Sequence, residues 1–116
     1  MTMKYDPEKL TIEEMLQLGA QRVSVEVDTF QGHDWHKQIR QIKDKKRAHF
    51  PCFVVTKNSM EFPQKFAVRL FDGGQPTCLV VVKDSLKAVR RAIPNDCPHG
   101  FPRHKSDNKV VVETWM

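Results

Sequence analysis

Long apolar stretches are missing from this 116-residue chain. The longest aliphatic run, Leu79-Val80-Val81-Val82, is four residues, where a helix crossing a bilayer needs about 20. The opening MTMKYDPEK has no apolar core of the kind a signal peptide carries. Cysteine is scarce and odd in number: Cys52, Cys78 and Cys97. A chain of this length can build a core without bridges, so the expectation is reduced thiols in a cytoplasmic protein. There is no internal repeat and no low-complexity tract. Catalytic signatures are missing too: no G-x-S-x-G, no P-loop and no G-x-G-x-x-G. Acid is in deficit, with 14 Asp and Glu against 19 Lys and Arg. The net charge of +5 favours acidic partners over basic ones.

What is present fits one compact α+β domain over residues 1–116. An apolar fraction of 40% lies well outside the disordered range. Charge is unevenly spread: residues 1–30 carry three bases and six acids, residues 31–116 sixteen bases and eight acids. Such asymmetry is one signature of a nucleic-acid or membrane-surface contact.

The pattern along the chain gives the elements. Thr11-Ile12-Glu13-Glu14 has the form of a capping box and predicts a short helix over 11–18, with Gly19 as its stop. Residues 1–10 before it read as partly flexible. Residues 22–28 alternate strictly, predicting a strand with Val23, Val25 and Val27 inward. Asp34 can cap a helix over 35–48 whose buried stripe is Trp35, Ile39 and Ile42. Three strands follow at 52–57, 65–71 and 77–83, the last two joined by a hairpin at Asp72-Gly73-Gly74-Gln75-Pro76. The apolar run in 77–83 predicts an interior strand covered on both faces. A helix over 84–93 buries Leu86, Val89 and Ile93. Residues 94–108, with three of the seven prolines, read as a long irregular loop, and 109–115 as a final strand. The expected order is α-β-α-β-β-β-α-β, a mostly antiparallel sheet of about five strands with two or three helices.

Two of these helices are basic. Segment 34–48 holds six bases and two acids. Lys37, Arg40, Lys43 and Arg47 fall three and four apart, which aligns them in one ridge. Lys87, Arg90 and Arg91 occupy the outward side of the other helix. Together these seven residues can engage phosphates, since each neutralised phosphate releases counterions. The same residues also fit an ordinary solvated helix face. A second cluster, Cys97, His99 and His104, offers three metal donors within eight residues, with Cys52 or His49 as a possible fourth. No second ligand pair completes a familiar metal pattern, so the cluster is read as a proline-stiffened surface loop with incidental polar side chains. Cys52 and Cys78 lie inside strand patterns, which suits buried inert thiols. Asp28, Asp72 and Asp84 sit at strand ends, where they can hold magnesium or serve turns and caps. Trp115, Phe62 and Phe101 are either interface anchors or cover for the sheet.

The sequence therefore predicts a small, basic, non-catalytic binding module without cofactor, metal or membrane attachment. Its partner is expected to be nucleic acid, engaged through the two basic helices. The alternative is an inhibitor, adaptor or accessory protein acting by protein–protein contact through loops and an edge strand such as 23–27.

Overall fold

The computed structural model describes residues 5–41, 50–97, 99–105 and 107–116, and the side chains of helix 35–41 only through residue 39. Three helices and six strands follow in order: α1 (Ile12–Ala20), β1 (Val25–Glu26), α2 (Trp35–Gln41), β2 (Pro51–Lys57), β3 (Phe66–Asp72), β4 (Gln75–Lys83), α3 (Leu86–Arg91), β5 (Gly100–Pro102) and β6 (Val111–Trp115). The strands form one sheet in the order β1-β4-β3-β2-β6-β5. Every pairing is antiparallel except β1 with β4. The α+β class holds, with one strand more than the sequence suggested. A Cα radius of gyration of 13.5 Å matches the roughly 13 Å of a single folded unit of this size.

Helix α1 starts as its sequence requires. Thr11 accepts a hydrogen bond from the Glu14 N–H, and the Glu14 carboxylate accepts from the Thr11 N–H. The helix does not stop at Gly19. It runs on to Ala20, capped at Gln21, and closes in a Schellman arrangement in which the N–H groups of Arg22 and Val23 donate to the carbonyls of Gly19 and Leu18. Arg22 takes the left-handed conformation, φ 61°, that glycine usually fills there. Gly19 is needed for space instead: a Cβ there would lie 2.1 Å from the Pro76 carbonyl oxygen. The absent side chain lets α1 rest directly on the backbone of β4.

The predicted strand at 22–28 contracts to Val25 and Glu26, because only a short piece of chain runs alongside β4 before turning away. Strand β4 is an interior strand with Thr77 to Val81 all buried. It bulges opposite Leu70, where the Thr77 hydroxyl donates to the Leu70 carbonyl at 2.7 Å. The β3–β4 hairpin turns on Gly73 and Gly74, φ 56° and 84°, the two positive angles of a type I′ turn. The 94–108 segment is not wholly irregular: it contains β5, paired with β6.

The core lies on one side of the sheet. Phe53 and Val55 of β2, Val68 and Leu70 of β3, and Leu79 and Val81 of β4 pack against Met15, Trp35, Ile39 and Val89 from the three helices. Phe30 sits among them, edge-on to Trp35 and 4.9 Å from the Phe53 ring. Tyr5 and Leu10 pack on the margin of this cluster. Ile42, expected in the stripe with Trp35 and Ile39, lies outside the described residues. On the opposite side of the sheet, Val54, Thr56, Ala67 and Arg69 meet Glu61 and Phe62 from the loop between β2 and β3. Arg69 donates to Glu61, to the Ser24 hydroxyl and to the Thr77 carbonyl. Among the described residues, no helix is long and apolar enough to cross a membrane.

Gly19→Ala tests the seating of α1. Alanine raises helix propensity by about 1 kcal/mol, but the new methyl meets rigid backbone. A net destabilisation of about 1–3 kcal/mol is expected, read as a lower denaturant midpoint; a stabilised variant would contradict the close contact.

Candidate functional site

The two basic helices lie in one layer, and specific hydrogen bonds explain how. α3 opens with Ser85, whose hydroxyl accepts from the Ala88 N–H at 3.1 Å. It turns Val89, Ala92 and Ile93 into the core. The carbonyls at its far end lack partners within the helix, and the segment leading into α2 supplies them. The Phe30 N–H donates to the Ala92 carbonyl at 2.8 Å, and the Thr29 hydroxyl donates to the same oxygen. The Gln31 amide nitrogen donates to the carbonyls of Arg91 and Ile93. α2 then begins with Trp35 buried and His33 stacked on it at 4.2 Å. His36 and Ile39 also face inward.

The basic side chains divide into three groups. Lys87 and Arg91 are exposed on α3. Lys37 is exposed on α2, with Asp34 3.8 Å away on the preceding turn. Arg90, expected among the outward bases, reaches across to β6 and donates to both oxygens of Glu113, at 3.0 and 2.5 Å. Glu113 is nearly buried and also accepts from the Trp115 indole N–H. The Arg90 hydrogen bonds hold the Glu113 carboxyl below the ordinary glutamate range, and the Trp115 hydrogen bond adds to this against the opposing effect of burial. Arg90 is therefore part of the architecture. Lys43 and Arg47 lie outside the described residues, as does the side chain of Arg40.

Near these helices, Lys83 and Arg91 border a shallow cleft of about 300 Å³. Asp28 shares that cleft and offsets part of its positive charge. A separate cleft of about 250 Å³ is bounded by Arg90, Ile93, Pro94, Asn95, Cys97 and Trp115. Trp115 is half-buried between the strands flanking it, with its ring against Gly100.

The metal donors singled out at Cys97, His99 and His104 separate in space. Cys97 is buried, whereas His99 and His104 are exposed. A different trio converges: His36, Asp96 and Cys97 place their donor atoms within 4.8 Å of one another. His36 and Asp96 are 60 residues apart in the chain, so no local spacing announces the group. His49 lies outside the described residues.

The remaining candidates have structural partners. Burial pushes the Cys52 thiol up to about 11, with Asp72 and Cys97 adding to the effect. Cys78 is likewise raised by burial to about 11. Both are protonated at neutral pH, without the thiolate that a nucleophile needs. Asp72 accepts from the Phe50 N–H beside the β3–β4 hairpin. Asp84 pairs with Lys65, whose hydrogen bond lowers the Asp84 carboxyl below its usual range. Phe101 is 47% exposed on β5, the last strand of the sheet. Comparisons with family models, curated proteins and solved structures return no match for the chain.

The Arg90–Glu113 pair carries a pH signature. Because Glu113 binds its proton less readily when folded, its contribution is present above about pH 4.5 and is lost as pH falls through the lower folded value. Glu113→Gln is expected to cost about 1–3 kcal/mol at neutral pH, toward the lower end because Arg90 is half in solvent. The gap from wild type should narrow in denaturant titrations between about pH 5 and pH 3.

Proposed function

We propose that this chain is a non-catalytic binding module that holds nucleic-acid phosphates against the α2–α3 side of its sheet. The observation that carries the reading is the common layer of the two basic helices, joined through Thr29, Phe30 and Gln31 to the end of α3. Lys87 and Arg91 are exposed without an acidic partner among the described ion pairs. They are the first contacts, and Lys37 joins them by exchanging Asp34 for a phosphate. Arg40, Lys43 and Arg47 extend the same basic sequence. Arg90 is left out, since Glu113 already neutralises it in a half-buried pair that phosphate would have to break.

A second reading, a protein-binding module, draws on β5. Among the described residues this strand ends the sheet, exposes Phe101 and has no strand on its outer edge. Pro102 removes one backbone donor from it, which makes it a short and imperfect template for strand addition.

Titrating random duplex and single-stranded DNA and RNA at several salt concentrations separates the two. Phosphate binding is expected to weaken steeply with salt, with a log–log slope of about −0.9 per duplex contact. Replacing Lys87 and Arg91 together with glutamine should flatten the duplex slope by about 2. Arg90→Gln should lower stability while leaving the slope nearly unchanged. Absence of binding at about 50 mM salt, where screening is weak, would transfer the assignment to the protein-binding class.

A further inference from the structure

We infer that His36, Asp96 and Cys97 form a divalent transition-metal site, with zinc the ion best suited to its donors. The three residues come from the two segments that meet beneath the helical layer. His36 lies in the first turn of α2, where its ring packs 5.9 Å from Phe53. Asp96 and Cys97 lie in the turn after α3, which the Cys97 N–H closes onto the Pro94 carbonyl at 3.1 Å. His36 Nε2 is 2.9 and 3.1 Å from the two carboxylate oxygens of Asp96. Cys97 Sγ is 3.9 Å from Asp96 Oδ1.

These separations, with all three donors within 4.8 Å of one another, lie around what an ion requires. Zinc bonds of about 2.0–2.3 Å to nitrogen, oxygen and sulfur, set at tetrahedral angles, place donor atoms roughly 3.3–3.8 Å apart. The His36–Asp96 pair sits closer than this and the Cys97–Asp96 pair slightly wider, so the carboxylate must leave its direct contact with His36 to admit a cation. The chemistry is selective as well. Imidazole with thiolate suits a borderline-soft ion, whereas magnesium and calcium prefer all-oxygen shells.

Charge supports the same choice. Binding removes the Cys97 thiol proton to solvent, and the resulting thiolate and carboxylate balance one dication beside a neutral imidazole. His36 and Cys97 are each 4% exposed, so a thiolate next to a carboxylate would be costly there without such a cation. Asp96 is 44% exposed and forms the way in. Cys97 also borders the 250 Å³ cleft that Asn95 and Trp115 help to line. A fourth coordination position is thereby within reach of water or a small anionic ligand. Metal-free, the His36–Asp96 contact already ties α2 to the turn after α3; metal converts that contact into a three-point clasp.

The test uses the full chain, prepared without a histidine tag and treated with a chelator. Zinc chloride titrated calorimetrically should bind at one ion per chain and raise the unfolding temperature. Cobalt(II) should give a sulfur-to-metal charge-transfer band in the near ultraviolet. Cys97→Ser should abolish that band and weaken zinc by more than the 10- to 100-fold that loss of an outer-shell partner costs, and His36→Gln should weaken it likewise. The paired change His99→Gln and His104→Gln should alter neither the band nor the affinity. Zinc far below one per chain, no cobalt–sulfur band in wild type, one-to-one binding that survives Cys97→Ser, or binding lost only in the loop-histidine variant would each overturn the assignment. The wild-type cobalt spectrum decides the matter even if His36→Gln fails to fold.

Discussion

The closing carbonyls of α3 set the geometry on which the helical side of this molecule depends. A helix end inside a fold must find hydrogen-bond donors, because its last carbonyls have none of their own. Here the donors are Phe30, Thr29 and Gln31. These three residues lie in the segment that leads into α2 at Trp35, so satisfying one helix helps fix where the next begins. Trp35, His36 and Ile39 then reach the core from a determined direction. The placing of α2 beside α3 and the meeting of His36 with Asp96 and Cys97 both follow from this join.

Charge in such a small domain has more than one use. Nineteen lysines and arginines suggest a surface made for anions, yet the structure assigns some of them internal tasks. Arg90 neutralises Glu113, a carboxylate that the sheet nearly buries. Arg69, with little exposure, links β3 to β4, Ser24 and Glu61 across the face away from the helices. A buried carboxylate without its cation would be far costlier than the pair. Net charge therefore overstates the positive surface available to a partner.

What could be read in the sequence depended on the range of the interaction involved. The Thr11–Glu14 capping box is closed within four residues, and the structure shows it as the residue types imply. The hairpin at Gly73-Gly74 was legible for the same reason. Gly19 resembles a helix stop in the sequence, but its cause is distant: it makes room for Pro76, not for a helix end. Strand β5 is three residues long and ends in a proline, so only its pairing with β6 identifies it. Arg90 looked like Lys87 and Arg91 until Glu113 was brought across from β6. The His36–Asp96–Cys97 group was invisible because chain folding, not local spacing, assembles it. Conversely, Cys97, His99 and His104 were close in sequence, yet only the first turned inward.

Among the described residues, helices on one side only leave the two sides of the sheet held by different forces. Behind α1, α2 and α3 lies an apolar core, whose hydrophobic packing is little affected by ionic screening. The other side is sheltered by the loop between β2 and β3, where Glu61 forms an ion pair with Arg69. Counterions weaken an attraction of that kind when it is partly open to water. Rising ionic strength should thus loosen this flap first and bare Val54 and Thr56 while the helical side stays shut, giving the domain a front and a back with separate sensitivities.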